Sequence, residues 1–315
     1  MNKYQIELSV ILVCYNQEKY IAQAIESILM QKVDFKYDII IADDHSTDST
    51  LNIIQEYANQ YPELIKIIPK EQNLGVTKNY KRAFQSTNSK YIAILEGDDY
   101  WTSPLKLQTQ FDFLELHREC SVCSHKFLLF TELYDDGHIN KLSYNIKSKA
   151  TRIELKTAQD LIKDNFIGNF STCMYRKDII DKIPQELFDM QVYDWMYNIV
   201  TAQYGLVGYI NEIMSVYRQH KQGVWSGKLS KEKLKITLSL IDEYNKFLKY
   251  EYNAEFTELK TRLQVVNIKS LKSINYNMFK HILKLCIPKL LKKIYRLVVP
   301  PVFILFIKFL KQKNY

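Results

Sequence analysis

The stretch YIAILEGDDYW, residues 91–101, decides how the rest of the chain is read. An almost wholly apolar run, Tyr91 to Leu95, leads directly into Glu96, Gly97, Asp98 and Asp99. Such a run, bounded by turn residues, has the pattern of a strand covered on both faces. Bunched carboxylates repel one another, and withdrawing them from water is costly unless something positive compensates. A metal ion, a basic side chain or plain solvent would each serve. Carboxylates at i, i+2 and i+3 of a turn can converge on a hard cation such as Mg²⁺ or Mn²⁺. A solvated acidic turn looks the same in isolation, so the neighbouring segments must decide.

Outward from this stretch the same strand-then-polar pattern recurs. LSVILVCY (8–15), YDIIIADD (37–44) and LIKIIPK (64–70) read as strands. KYIAQAIESILMQ (19–31), STLNIIQEYANQY (49–61) and VTKNYKRAFQST (76–87) carry apolar residues at helical spacing. The resulting βαβαβαβ order with short connections predicts an α/β fold with a mostly parallel, doubly wound sheet. Such sheets bind ligands at the carboxyl ends of their strands. Asn16 and Gln17, Asp43 and Asp44, and Glu96 to Asp99 all fall there. No G-x-G-x-x-G follows the first strand and no G-x-x-x-x-G-K-[ST] occurs, which argues against a dehydrogenase or a phosphate-loop NTPase. Residues 102–225 are less regular, and from 230 the pattern is helical.

The chain has 315 residues and is 47% hydrophobic, enough for one large domain or two modest ones. Five scattered cysteines, at 14, 120, 123, 173 and 286, make a poor disulfide framework and point to a reducing compartment. The N-terminus lacks a signal-peptide layout and reads as the first strand. His117, Cys120, Cys123 and His125 raise the question of zinc, but CSVCSHKFLLF reads as a strand entered from a helix, not as a ligand knuckle. The net charge of +8 is unevenly placed: no acid follows Glu258, and residues 259–315 carry thirteen Lys and Arg. An anionic partner is therefore expected for the C-terminal part. Its longest apolar run, Leu297 to Ile307, contains Pro300 and Pro301 and is too short to span a bilayer. An amphipathic segment from about residue 270, lying on an anionic membrane surface, is expected, and no nucleic acid.

Individual side chains carry competing readings. Asp48 or Ser46 fits a helix cap, whereas Asp43 ends an apolar strand and can accept bonds from a nucleobase or ribose. Gly75 permits a tight turn before a helix on which Lys78 and Arg82 share a face, toward a diphosphate or toward solvent. Asp194 can cap the helix beginning near 195. GVWSG, residues 223–227, reads as a mobile loop in which Trp225 covers a ligand.

Taken in order, SVILVCYNQEKYIAQAIESILMQ, IIIADDHSTDST, NLGVTKNY, YIAILEGDDYW and the later VYDWMYN and VYRQH resemble family 2 glycosyltransferases, inverting enzymes of the GT-A fold. The resemblance implies a GT-A domain over 1–228, leaving a helical, basic region over 229–315 that its composition makes membrane-associating at its end. It implies a nucleotide-sugar site containing Tyr15, Asn16, Asp43, Asp44, Asn73, Gly75, Lys78, Glu96, Gly97, Asp98, Arg218 and Trp225. It implies Mn²⁺ or Mg²⁺ on Asp98, Asp99 and His220, and Asp194 as catalytic base. Glu96 stands where Asp is common. The activity so implied is transfer of a sugar to a glycan or lipid-linked acceptor, for surface-polysaccharide assembly at the inner face of the membrane. A nucleotidyltransferase, or a non-catalytic membrane-associated protein that kept the fold, is the alternative.

Overall fold

The computed structural model describes residues 6–68, 71–132, 141–144 and 152–265. Met1–Leu259 is one compact unit, and Lys260–Tyr315 is a second. The first unit opens with β1 (Leu8–Cys14), α1 (Ile21–Leu29), β2 (Tyr37–Asp43), α2 (Thr50–Gln60), β3 (Ile65–Ile67), α3 (Val76–Gln85) and β4 (Tyr91–Glu96). That is the expected alternation, with β3 shorter than its apolar run. There follow β5 (Tyr100–Trp101), α4 (Lys106–Leu116), β6 (Cys120–Thr131), β7 (Lys141–Tyr144), β8 (Ile153–Lys156), α5 (Ala158–Lys163), β9 (Met174–Arg176), α6 (Lys177–Ile180), α7 (Asp194–Ala202), β10 (Leu206–Gln219) and α8 (Ser230–Phe247).

The sheet order is β3-β2-β1-β4-β9-β6-β10-β5, with β7 on β6 and β8 on β10. β1 runs parallel to β2 and β4, and β3 runs parallel to β2. Their apolar side chains are buried on both faces, as with Val10, Ile11, Leu12, Ile39, Ile41 and Ile94. Helix α1 covers one face with Ile21, Ala24, Ile25 and Ile28, which is i, i+3, i+4, i+7 spacing. The chain builds β2 and β3 on one side of β1 and β4 on the other. The carboxyl ends of β1, β2 and β4 therefore flank a topological switch point, where a doubly wound sheet leaves a crevice. Antiparallel β9 then inserts between β4 and β6. Cys120, Cys123 and His125 all lie buried in β6.

The compact unit extends beyond the boundary expected at 228. Tyr244 of α8 accepts a bond from the Tyr193 N–H and donates to the Gln191 carbonyl, both at 3.3 Å. Trp195 packs on Tyr244 and on Phe256, with ring centroids 5.9 and 6.1 Å away. The helical region up to Leu259 is thus part of the core that backs α7. Among the described residues no helix is long and apolar enough to cross a membrane. The membrane-associating segment expected from about residue 270 lies outside the described residues.

Candidate active site

The acidic turn after β4 is held from three directions. The Gly97 N–H donates to the Val13 carbonyl at 2.9 Å, extending the β1–β4 ladder, and the Asp99 N–H donates back to Glu96 at 2.9 Å. A Cβ at Gly97 would lie 2.2 Å from Gln17 Oε1 and 2.9 Å from Cys14 Cβ, so only glycine lets the turn lie this close to β1. Asp99, expected as a cation ligand, instead points inward and is wholly buried. Its Oδ2 accepts from Ser171 Oγ at 2.6 Å and Asn169 Nδ2 at 3.0 Å, and its Oδ1 accepts from the Arg218 N–H at 2.8 Å. Both oxygens serve protein donors, so Asp99 anchors the turn.

Arg218 is also corrected. Expected on the nucleotide sugar, it is buried, with its guanidinium 4.5 Å from the Tyr20 ring centroid and 5.2 Å from that of Tyr100. It donates to the Asp98 carbonyl and to Gln23 Oε1 and lies 3.8 Å from Glu132. A planar cation between two rings, with its donors spoken for, braces the turn. Asp98 and His220, both expected as metal ligands, pair with each other: Oδ2 and Nε2 are 2.9 Å apart. The imidazole lies 4.7 Å from the Tyr20 ring, and its Nδ1 has no hydrogen-bond partner among the described residues.

Glu96 accepts from the Tyr80 hydroxyl at 3.3 Å. Burial, then the charges of Asp99, Asp98 and Asp194, push its carboxyl well above the usual range. Several acids thus crowd one low-dielectric space, an arrangement that a cation would relieve. No three His, Cys, Asp or Glu converge into a closed cation cage among the described residues. Asp98 and His220 are donors of a kind that would suit a hard cation.

Asp194 opens α7. Tyr193 is the capping residue, with extended φ −107° and ψ 170° and no side-chain cap bond, so Asp194 is the first helical residue and not the cap. Its Oδ2 is buried and has no hydrogen-bond partner among the described residues. Burial raises the carboxyl from 3.8 to about 7, against the opposing pull of the Trp195 N–H. Its charge bears on Glu96, Tyr80 and Tyr217, which places it beside the acidic turn.

The rim formed by β1 and β2 is a hydrogen-bonded strip. Asp43 accepts from the Ser46 N–H at 2.9 Å and from Ser46 Oγ and Cys14 Sγ. Asp44 takes the N–H groups of Leu74 and Gly75 at 2.9 and 2.8 Å, and Asn73 Nδ2 donates to its carbonyl at 2.9 Å. Gly75 starts α3 at φ +80°, where a side chain is strained. Asn16, at φ +53°, accepts from the Thr47 N–H at 2.7 Å, and Tyr15 beside it is exposed. Asp48 lies one residue before the cap of α2, Ser49, and its side chain accepts from the Thr50 N–H at 3.0 Å. Lys78 and Arg82 part company: Lys78 is exposed, whereas Arg82 clamps the carbonyls of Asp43 and Ile68 and the side chain of Asn79.

The loop after β10 closes the arrangement. Ser226 Oγ donates to the His220 carbonyl at 3.0 Å, and Trp225 stands edge-on to Tyr193 at 5.3 Å. One loop therefore begins at the partner of Asp98 and touches the residue before Asp194. A cavity of about 170 Å³ lies beside it, lined by Asn16, Gln17, Glu18, Lys19, Tyr20, Asp48 and Gln222. Sequence reasoning missed Tyr20, Tyr80, Asn169 and Ser171. The two tyrosines sit in helical patterns that read as core, and NFST (169–172) lies where no periodicity was legible.

Comparison with known proteins agrees with this geometry. Residues 9–183, more than half of the chain, match the model of glycosyl transferase family 2. An uncharacterised protein of Mycobacterium tuberculosis is 36% identical over 218 residues, which is 69% of this chain and 60% of the relative. The chain thus matches less than two thirds of that relative's length. The provisionally named teichuronic acid biosynthesis glycosyltransferase TuaG of Bacillus subtilis is 26% identical over 229 residues, 72% of this chain and 85% of TuaG. Among solved structures, S. aureus TarS 1–349 in complex with UDP-GlcNAc aligns with TM-score 0.54 at 19% identity, over 76% of this chain and 66% of that one. The mannosyltransferase PcManGT of Pyrobaculum calidifontis, in complex with GDP-Man and Mn²⁺, aligns with TM-score 0.56 at 13% identity, over 96% and 84%. At such identities the structural likeness is one of fold. With the family match, it shows that the chain belongs to glycosyltransferase family 2 and has the GT-A fold.

Proposed function

We propose that the protein is an inverting, cation-assisted glycosyltransferase that moves a sugar from a nucleotide-diphosphate sugar to an acceptor hydroxyl. The observation that carries this reading is Asp194: a carboxylate beside the acidic turn whose buried Oδ2 has no hydrogen-bond partner among the described residues and whose titration is raised by burial to about 7. A general base works best when its pKa lies near the working pH. Asp194 takes the proton of the acceptor hydroxyl as that oxygen bonds to the anomeric carbon. The bond to the diphosphate breaks on the opposite face, and its electron pair leaves with the diphosphate. A single displacement inverts the anomeric centre. Asp98, with His220, would hold Mn²⁺ or Mg²⁺, which when bound neutralises charge on the leaving diphosphate. The nucleoside is assigned to the rim of Asp43, Asp44 and Asn73 from the family membership; their side-chain oxygens already accept bonds from Ser46, Leu74 and Gly75, which fixes the rim's shape.

The acceptor is read as a growing or lipid-linked surface glycan, supported by the family membership and by the name of TuaG. Attachment to the inner face of the membrane is read from the basic, apolar sequence of about residues 270–315. A thermal-shift screen of UDP, GDP and dTDP with Mn²⁺ identifies the nucleotide, and turnover of its sugar conjugate then tests the reaction. Nucleoside diphosphate should be released. Release of pyrophosphate would make it a nucleotidyltransferase, and no turnover of any sugar nucleotide would leave a binding protein.

A further inference from the structure

The loop that follows β10 exposes an unusual set of side chains at the mouth of the crevice. Residues 221–235 read KQGVWSGKLSKEKLK. Val224 and Leu229 are 58% and 77% exposed, and Trp225 between them is partly buried. Lysines stand at 221, 228, 231, 233 and 235 against a single acid, Glu232, so five positive charges and one negative leave +4. Lys228 lies 3.7 Å from Glu232. Lys231 and Lys235, both exposed, are four apart in α8 and share a face.

Several hydrogen bonds hold this loop from within. Gly223 N–H donates to the His220 carbonyl at 3.1 Å, and Gly227 N–H donates to the Gly223 carbonyl at 2.9 Å. Lys233 Nζ donates to the Ser226 carbonyl at 3.2 Å. A Cβ at Gly227 would lie 2.2 Å from the Lys221 carbonyl oxygen, so the coil is tight. Isolated exposed apolar side chains are ordinary on a protein surface. Here a valine, a tryptophan and a leucine fall within six residues, flanked by lysines, on a coil held by its own Gly223 and Gly227 hydrogen bonds. Apolar tips, an amphipathic aromatic ring and adjacent cations are what a segment seated in the headgroup layer of an anionic bilayer requires.

We propose that residues 221–235 form a membrane-contacting rim, seating Val224, Trp225 and Leu229 in an anionic lipid surface so that the crevice opens at that surface. The proposal deepens, and rests on, the reading that the acceptor is lipid-linked. It adds orientation: a tether at the chain's end holds an enzyme near a membrane, whereas a rim contact aims its crevice.

Trp225 is a natural reporter. Trp101 is buried at 1% exposure, and the Trp195 indole is tied to the Leu161 carbonyl at 2.8 Å. The experiment uses the full chain with vesicles of phosphatidylcholine and phosphatidylglycerol carrying brominated acyl chains. Fluorescence should shift blue and be quenched, and Trp225→Phe should lose both effects. Leu229→Asp should weaken the partitioning reported by Trp225 about tenfold, the loss expected for one apolar side chain. Lys231→Glu combined with Lys235→Glu should remove its dependence on the anionic lipid. Protein that pellets with the vesicles while Trp225 stays unquenched overturns the rim and leaves the tail attachment standing. Protein that neither pellets nor shows quenching overturns both. A spectral response to soluble polyphosphate but not to vesicles assigns the lysines to an anionic polymer and overturns the lipid contact. Intact quenching with transfer only to water-soluble acceptors supports the rim and faults the lipid-linked acceptor alone.

Discussion

Asp194 and Asp99 are two aspartates of one site that the fold treats oppositely. Asp99 is supplied with donors by Ser171, Asn169 and the Arg218 backbone, whereas Asp194 keeps one oxygen without a partner among the described residues. Two pH dependences follow for Asp194. The ionised form is the base, so turnover should rise with pH through about 7 and level off above it. Stability moves the other way. The folded value lies above the unfolded 3.8, so the contribution of Asp194 is full below about 3.8 and is lost as pH rises through about 7. Asp194→Asn should therefore cut turnover about 10²–10⁴-fold, yet melt higher than the wild type at alkaline pH and little differently in acid. Donor binding should survive, as calorimetry can check, and wild-type turnover in the folded variant would reduce Asp194 to a structural residue. Asp98→Asn should do the reverse: Mn²⁺-dependent binding of a nucleoside diphosphate should weaken markedly, because a hard-cation site loses an anionic ligand. Unchanged Mn²⁺ dependence in titration calorimetry would refute that assignment. The sequence showed that acids follow β4 but not where each points. The partners that turn Asp99 inward are 70, 72 and 119 residues away, and no local pattern encodes them.

At the scale of elements, what was legible follows from how each element is buried. Strands β1, β2 and β4 are covered on both faces and joined by short connections, so their apolar runs stand out. Three-residue β9 slips antiparallel between β4 and β6, and its register depends on both neighbours, so nothing local announces it. Helix α3 shows a limit of periodicity. Spacing put Lys78 and Arg82 on one face, but Arg82 bends to carbonyls at the end of β2 and after β3, an option open to a long guanidinium. The glycines at the element ends make the sharper tests. Gly97→Ala meets Gln17 and Cys14 below contact distance and should cost about 1–3 kcal/mol in urea denaturation, as overpacking does. It should also weaken nucleotide binding, because the turn that carries Asp98 must move off β1. At Gly75 an added Cβ meets nothing within 4 Å, so only the φ of +80° is strained. Gly75→Ala should therefore cost about 1–3 kcal/mol, with the binding loss confined to what the Asp44 clamp contributes.

At the scale of the whole chain, the unit Met1–Leu259 includes the wall behind α7 and so runs past the boundary expected near 228. A change from mixed to helical pattern marks a change of secondary structure, not of core. Tyr244 bonds to Gln191 and Tyr193 on either side of Val192, and Trp195, the residue after Asp194, rests on Tyr244 and Phe256. Removing α8 and the residues up to Leu259 would expose these rings and release the chain segment that places the base. A chain ending at 228 is therefore expected to lose cooperative thermal unfolding, or to aggregate. A chain ending at 265 keeps every one of these contacts and should unfold cooperatively and bind a nucleoside diphosphate like the full chain. It would also lack the last eleven of the thirteen basic residues that follow Glu258. If those residues supply the attachment, pelleting with anionic vesicles should fall steeply in the shortened chain. Salt should loosen the full chain as well, since attraction at a charged surface is screened over about 8 Å at physiological ionic strength. Equal pelleting of the two chains in low salt would remove the C-terminal segment from the account of membrane binding. A chain ending at 228 that melts cooperatively at the full-length temperature would show that the wall behind Asp194 is complete without α8.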